Sequence, residues 1–399
     1  MGSGLPFGSL RIIIMGLAVL AQITLFLYIR HAIRSSTRSD RFKSRAVLLA
    51  GASIALLFSA SWQIMFKPIP WIDPPLAAQY GLFYPPAVWS FGSLFSALLL
   101  GLTLGVLWLG RMIAFLVRTV AGKTAADPPN PGRRRFLQAG VGGVASVPFI
   151  LSGYGATVEA KTLQVQELTV PFGRSLRVVQ LTDLHAGIFM TREEIRRCAD
   201  QAAVLQPDLF VLTGDFISNS LSFLPGCLEE MARVQARYGT FATLGNHEHW
   251  YGGLSELQTI FRKCGIPLLQ NTHQVIRTDQ GLFAVAGIDD MRSGRPDLDE
   301  ALAGLDSIVP TLLLSHRPEI FPYAAARRVT LTLSGHYHGG QVKLPLPGGG
   351  VSLAHLRTPY PEGLYRIGTC TLYVSRGIGT TFTPVRLNAR PEVTLIHLT

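Results

Sequence analysis

Five short apolar runs in the second half of this chain each end on polar, metal-binding side chains, and that repeated junction restricts the fold more than any other feature. The runs at residues 177–182, 209–213, 241–244, 311–315 and 329–334 precede Asp183-x-His185, Gly214-Asp215, Gly245-Asn246-His247-Glu248, His316 and Gly335-His336-x-His338. Each run has the length and the aliphatic content of a buried strand. Polar residues at the ends of such strands converge on one edge of a sheet, where open α/β folds place their ligands. The chain thereby gathers seven candidate ligands: Asp183, His185, Asp215, Asn246, His316, His336 and His338.

The donor types narrow the chemistry. Carboxylate and amide oxygens with imidazole nitrogens, and no thiolate, suit manganese, iron or zinc in a reactive site better than a closed structural zinc site. Asp215 is the natural bridge, because one carboxylate gives an oxygen to each of two ions. Two divalent ions about 3.5–4 Å apart clamp the attacking and leaving oxygens of an in-line displacement at phosphorus, and they lower the pKa of a shared water towards neutrality. The reaction class is hydrolysis of a phosphate ester. Taken singly, each of these residues is as well explained as a cap or a satisfied polar group at a strand end. Their order, the adjacent glycines and the strand contexts together single out the set. His273, His355 and His397 lie outside the pattern. His249, two residues after His247, either reaches substrate or packs.

The ordered set resembles the calcineurin-like metallophosphoesterase superfamily from about Leu163 to the C-terminus. The resemblance implies that Asp183, His185, Asp215 and His338 hold one ion, and that Asp215, Asn246, His316 and His336 hold the other. It leaves His247 unligated, as the group that stabilises or protonates the leaving oxygen in attack by a metal-bridging hydroxide, with Glu248 orienting it. It also implies an αββα sandwich for residues 161–399. Two positions depart from the family pattern: Ser218 stands where many members carry a second acidic residue, and Glu248 replaces the more frequent aspartate. The stretch from Gly335 to Val342 and that from Ser375 to Thr380 resemble a membrane-tethered bacterial branch. Some of its members carry twin-arginine signals, and others are described as UDP-2,3-diacylglucosamine hydrolases.

The first part of the chain is of a different kind. Hydrophobic residues make up 48% of the sequence and charged residues only 15%, and the apolar excess is concentrated in residues 12–29, 46–66, 87–117 and 136–154. The first three reach the roughly 20 residues that a spanning helix needs, and the glycine-rich fourth reads as a weaker span or as the apolar core of a signal. The expected organisation is three spans in residues 1–123, a linker with a signal-like fourth span in 124–160, and the catalytic domain in 161–399. The fold class is N-terminal transmembrane α-helices plus an α/β catalytic domain.

A net charge of +11 looks at first like a nucleic-acid signature, but its placement excludes that class. Residues 1–160 hold 14 Lys and Arg against 4 Asp and Glu, whereas the catalytic part is nearly balanced. Most of the excess sits in two connections, Arg30 to Arg45 and Arg111 to Arg135, and the positive-inside rule makes those cytoplasmic. The N-terminus and residues 67–86 then lie outside, and a fourth crossing carries the catalytic domain to the outer, periplasmic face of a bacterial inner membrane. Arg133-Arg134-Arg135-Phe136-Leu137 resembles a twin-arginine export signal, and a plain basic flank gives the same orientation. A fourth segment lying on the inner surface would instead leave the enzyme in the cytosol.

Cys198, Cys227, Cys264 and Cys370 form no C-x-x-C pair and read as buried free thiols, with a disulfide open only where the fold brings two of them into range. The sequence sets neither the oligomeric state nor the substrate. Apolar residues at 220–224, 250–251 and 344–347 are candidates for a rim that accepts a lipid-linked phosphate, with the bilayer itself as partner. The alternatives are a general phosphomonoesterase or phosphodiesterase acting on soluble substrates, and a non-catalytic metal-bound sensing module.

Overall fold

The computed structural model describes residues 7–67, 69, 71–121, 131–346 and 349–399. Lys123, residues 124–130 of the expected linker and Pro347 of the expected rim lie outside the described residues. The chain divides into two compact units, Met1–Met65 with Tyr84–Tyr154, and Phe66–Phe83 with Gly155–Thr399. Residues 66–83, expected with the spans, thus cluster with the catalytic part.

The opening helices are α1 (Phe7–Arg34), α2 (Asp40–Phe66), the short α3 (Leu76–Ala78), α4 (Tyr84–Val120) and α5 (Pro131–Thr157). Among the described residues four segments are long and apolar enough to cross a membrane: Met15–Arg34, Asp40–Met65, Leu76–Val120, which takes in α3 and α4, and Gly132–Lys161. Small residues and interhelical hydrogen bonds join them, the kind of contact that apolar helices use in lipid. Gln22 accepts from Trp89 Nε1 and donates to Ser93 Oγ, both at 2.9 Å, and Ser96 donates to the Ala145 carbonyl at 2.6 Å. Gly92 lies under the Phe149 ring, where a Cβ would come within 2.4 Å of it.

The second unit is built on two sheets. The first has strand order β1-β13-β2-β3-β4, from β1 (Gln164–Val170), β2 (Leu176–Leu181), β3 (Leu209–Thr213), β4 (Thr240–Thr243) and β13 (Glu392–Leu398). The second has the order β11-β12-β8-β7-β6-β5, from β5 (Thr272–Thr278), β6 (Gly281–Gly287), β7 (Thr311–Leu314), β8 (Leu331–Ser334), β11 (Gly363–Ile367) and β12 (Cys370–Val374). Val178, Val211, Phe241 and Ile396 of the first sheet meet Phe283, Leu312, Leu333 and Tyr373 of the second in one buried layer. On its outer face the first sheet is covered by α6 (Arg192–Val204), α7 (Leu224–Met231) and α9 (Leu254–Lys263), through Ile195, Leu228 and Phe261. The second carries α10 (Leu298–Ala301) and α11 (Phe321–Ala326), through Leu298, Ala301 and Ala324. This is the expected αββα layering.

A local signal sets the start of α6. Thr191 caps α6 in a reciprocal capping box with Glu194, as its position before two glutamates suggests. The helix α7 ends at Met231. Beyond it the chain turns, Val234 enters the core, and Tyr238 donates to the Asp208 carbonyl at 2.7 Å to start β4. Tertiary contacts there override local propensity.

Direction decides where the site lies. β2, β3 and β4 run parallel, as do β6, β7, β8 and β12, so their C-terminal ends share edges. Gln180 of β2 donates to the Ser334 carbonyl of β8 at 3.1 Å, which brings the two edges together.

Candidate metal centre

The loops after β2, β3, β7 and β8, with α8 (Asn246–Tyr251) after β4, bring all seven predicted ligands to this common edge. Asp183, His185, Asp215, His336 and His338 all adopt positive φ, between 48° and 75°. Non-glycine residues reach that region at a cost of order 1–3 kcal/mol each, and such outliers concentrate where a site over-determines the backbone. Two motif glycines are required by close approach rather than by φ. A Cβ on Gly335 would lie 2.1 Å from Asp183 Oδ2, and one on Gly245 would lie 2.2 Å from Asp215 Oδ1.

The side chains form three overlapping groups of donors: Asp183, His185 and His338; His185, Asp215 and His247; and Asp215, His316 and His336. Within each, the donor atoms lie within 4.8 Å of one another. In the first, His185 Nε2 and His338 Nε2 are 3.1 Å apart, and His338 Nε2 is 3.5 Å from Asp183 Oδ1. In the third, His316 Nε2 is 3.1 Å from His336 Nδ1 and 3.3 Å from Asp215 Oδ2. The same Asp215 oxygen is 3.6 Å from His185 Nε2, so one carboxylate faces both outer groups. Nitrogens each about 2.0–2.1 Å from one ion sit roughly 3.0–3.4 Å apart, so the donor set fits divalent cations. Asn246 is buried and is linked to His336 of the third group through Arg317, which donates from Nη2 to Asn246 Oδ1 at 3.0 Å and meets His336 Nε2 with Nη1.

The second contacts fix which atoms face inward. His316 Nδ1 donates to the Thr213 carbonyl at 2.9 Å, which turns Nε2 to the cluster. Asp183 accepts from Thr182 Oγ1 at 2.8 Å and from the His336 N–H at 3.0 Å. His247 Nδ1 donates to the Ser218 carbonyl at 2.5 Å, leaving Nε2 4.0 Å from Asp215 Oδ2. The missing acid at position 218 is thus bypassed by a main-chain acceptor. Glu248 was expected to orient His247. Its carboxylate instead accepts from the N–H groups of Asp215, Phe216, Ile217 and Gly245 at 2.8–3.2 Å, so it shapes the β3 loop. The longer arm of glutamate spans those four donors.

Electrostatics prepare the donors unequally. Burial and the neighbouring His247 press the His185 imidazole down to about 3. Burial, with Arg317 beside one and His185 beside the other, holds His336 and His338 well below the usual range, as neutral donors. Burial resists ionisation of Asp215, but His316, His247 and His185 together hold it well below the ordinary carboxylate value. Burial pushes Asp183 up to about 6 against the pull of His316. His316 is disfavoured as a cation by burial, yet Asp215 overcomes this and raises it to about 10. A cation at His316 Nε2 must displace that proton.

Several neighbours carry no motif. Thr381 Oγ1 lies 3.0 Å from His338 Nε2 and 3.3 Å from His185 Nε2. Gln341 holds the Thr381 main chain through both its amide atoms. Arg317 is itself held by Asp290 at 2.9 Å. Arg386, wholly buried among the carbonyls of Arg376, Gly377, Gly379 and Ala389, reaches 3.2 Å from His338 Nδ1. Asp290 and Thr381 follow β6 and β12, whose C-terminal ends lie at the same edge, so only the strand order could have disclosed them. His249 pairs with Asp289 at 2.6 Å. His273 donates to the Ala301 carbonyl and His397 lies against Glu167, away from the cluster. Of the expected rim, Phe223 and Leu224 are buried in the core under α7, a correction, whereas Trp250, Tyr251, Leu344 and Leu346 are exposed. The Trp250 ring lies 4.8 Å from that of His247.

Comparison with known proteins agrees with this geometry. Residues 176–340 match the family described as calcineurin-like phosphoesterase. The uncharacterized metallophosphoesterase YkuE of Bacillus subtilis (strain 168) is 30% identical over 278 residues, 67% of this chain and 97% of that protein. Two vertebrate proteins named transmembrane protein with metallophosphoesterase domain are also similar. That of Danio rerio is 31% identical over 62% of this chain, and that of Bos taurus is 30% identical over 63%. The chain spans 60% and 61% of those two relatives' lengths. The match to the family, the similarity along nearly the whole of the Bacillus protein and the shared-carboxylate cluster agree: the chain belongs to the calcineurin-like metallophosphoesterases.

Proposed function

We propose that this chain is a membrane-anchored phosphoesterase that uses two divalent ions, manganese, iron or zinc, to hydrolyse a phosphate ester or diphosphate carried on a lipid. The observation that carries the reading is the position of Asp215 Oδ2 between His185 and His316, one from each outer donor group. Asp183, His185, Asp215 and His338 would hold one ion, and Asp215, Asn246, His316 and His336 the other. Two bound ions supply Lewis acidity, activating water and neutralising charge on the phosphate.

The chain's own residues do the rest. His247, held through Nδ1 by the Ser218 carbonyl, presents Nε2 to deliver a proton to the departing oxygen. Arg317 fixes the Asn246 amide, and Thr381 offers its hydroxyl between His185 and His338. Trp250, its ring tilted against that of His247, borders the leaving-group side.

The segment between α2 and α4 supports a reading of the location. Asn219 donates to the Lys67 carbonyl at 3.3 Å, and the Arg192 N–H donates to Asp73 at 2.8 Å. These bonds support a catalytic domain on the same face as that segment. The positive-inside rule puts that face opposite the basic connections, the periplasmic side of a bacterial inner membrane. The Arg133–Arg135 cluster at the start of α5 fits this as a twin-arginine-like signal or as a basic flank. An apolar anchor and a lipid-borne substrate suit each other, since a soluble metabolite requires no tether; nucleic acid is not an expected partner.

The test is hydrolysis of an aryl phosphodiester by purified full-length protein with added manganese. Activity should vanish with chelator and fall steeply in Asp215→Asn, and in His247→Ala on a diester with an alkyl leaving group. Wild-type rates in both variants would end the phosphoesterase reading. Equal turnover of acylated and deacylated glycerophosphate or nucleotide-sugar substrates would remove the lipid, and a C-terminal cysteine that impermeant reagents cannot reach in intact cells would reverse the orientation.

A further inference from the structure

A two-stranded ribbon, β9 (Leu344–Leu346) paired with β10 (Gly349–Val351), stands apart from both sheets. Its side chains are unusually bare. Leu344 is 68% exposed and Leu346 53%, and just beyond the ribbon Leu353 and Leu356 are 73% and 83% exposed. Residues 344–356 contain no Asp, Glu, Lys or Arg. A lone two-stranded ribbon is marginal in water, and proteins guard such open edges with charge. A contiguous exposed apolar patch marks a surface that meets a partner.

The ribbon's root shows which partner. Lys343 donates its N–H to the Leu387 carbonyl at 2.9 Å, and the adjacent Arg386 donates to the Gly155 carbonyl at 3.2 Å. Gly155 lies in the last turn of α5, inside the apolar segment Gly132–Lys161. The contact is tight, because a Cβ at Gly155 would come within 2.7 Å of the Arg386 carbonyl oxygen. The ribbon therefore emerges beside the point where the chain leaves its fourth apolar helix. On the other side it joins the cluster. Gln341, two residues before the root, holds Thr381, whose hydroxyl touches His338, and Phe382 next to it is 57% exposed.

We infer that the β9–β10 ribbon, with Leu353, Leu356 and Phe382, inserts among the acyl chains of the bilayer at the end of α5 and seats the His338 side of the metal cluster on the lipid surface. The inference rests on the membrane anchoring proposed above. A lipid-borne phosphate would then reach the cluster along this edge without leaving the interface. Apolar residues buried a few ångströms below the headgroups, with Arg357 and His355 exposed alongside, match the chemistry of interfacial insertion.

Spin labels on the full-length chain in nanodiscs of phosphatidylcholine and phosphatidylglycerol test this, with Cys264→Ser removing the partly exposed thiol. Labels are placed singly at Leu346→Cys, at Val144→Cys in α5 and at Ile308→Cys, a site 82% exposed on the catalytic unit. Expected is greater collision with oxygen than with a water-soluble nickel chelate at 346 and 144, and the reverse at 308. A water-like label at 346 with a lipid-like label at 144 overturns the ribbon proposal and leaves the anchoring intact. Water-like labels at both remove the anchoring too. Dipolar broadening at 346, with neither probe gaining access, identifies a second copy of the chain as the occupant and also overturns the proposal.

Discussion

Arg317 donates to Asn246 through one guanidinium nitrogen and meets His336 with the other, while Asp290 holds its Nε at 2.9 Å. Two candidate ligands of one ion are thus set by a single planar fork. Replacing such an outer partner typically costs 10–100-fold in metal affinity or activity. Arg317→Ala should raise the manganese concentration needed for half-maximal activity by about that factor, and Arg317→Lys should rescue little, because an ammonium lacks the fork. An unchanged manganese titration would remove the orienting role.

Asp215 and His247 should fail in different ways. Asp215→Asn should lose bound metal, measured by elemental analysis of the purified protein. His247→Ala should keep its metal and lose about 10²–10⁴-fold in rate on esters with alkyl leaving groups. The loss should shrink for p-nitrophenol, which departs without a proton. Equal losses for both leaving groups would argue against proton delivery by His247.

The His316 imidazolium gives the metal-free protein a signed pH dependence. Its pKa is raised from 6.5 to about 10, burial being outweighed by Asp215. The stability it contributes is fully present below 6.5 and is lost as pH rises through about 10. Metal must displace the same proton, so affinity should rise with pH over that window and each binding event should release protons. Calorimetry in buffers of different ionisation enthalpy reads the release directly; a buffer-independent heat would contradict it.

Glu248 should matter for stability before chemistry. It accepts four main-chain N–H bonds in a fully buried place. Each donor left unsatisfied costs about 1–3 kcal/mol. Glu248→Ala should therefore lower the thermal unfolding midpoint far more than Glu248→Gln, which keeps one acceptor oxygen. Similar midpoints for the two variants would show that the loop does not depend on those bonds.

The parts legible in the sequence were those whose signal is local. Apolar runs ending at Asp183, Asp215, Asn246, His316 and His336 gave the strands and the cluster together, because a buried strand and the turn after it are written in consecutive residues. Thr191 before Glu193 and Glu194 gave a helix start in the same way. What stayed hidden depends on pairing over long sequence separations. Arg317 sits beside His316 yet becomes meaningful only when β6 places Asp290 beneath it. Thr381 and Arg386 reach the cluster only because β12 lies parallel beside β8. The role of Glu248 was misjudged because its nearest neighbour in sequence, His247, is not its partner in space.

One consequence of the strand order concerns synthesis. β13 lies between β1 and β2, pairing parallel with the one and antiparallel with the other, yet it is translated after all twelve strands before it. Until Glu392–Leu398 arrives, the facing edges of β1 and β2 stay open while the apolar helices ahead of them have already left the ribosome. Open edges in a slow-closing sheet invite wrong pairing between neighbouring nascent chains. The edge that carries Asp183, at the end of β2, therefore matures last, and ribosomes that stall before residue 392 would release a chain with every candidate ligand and no closed sheet to hold them.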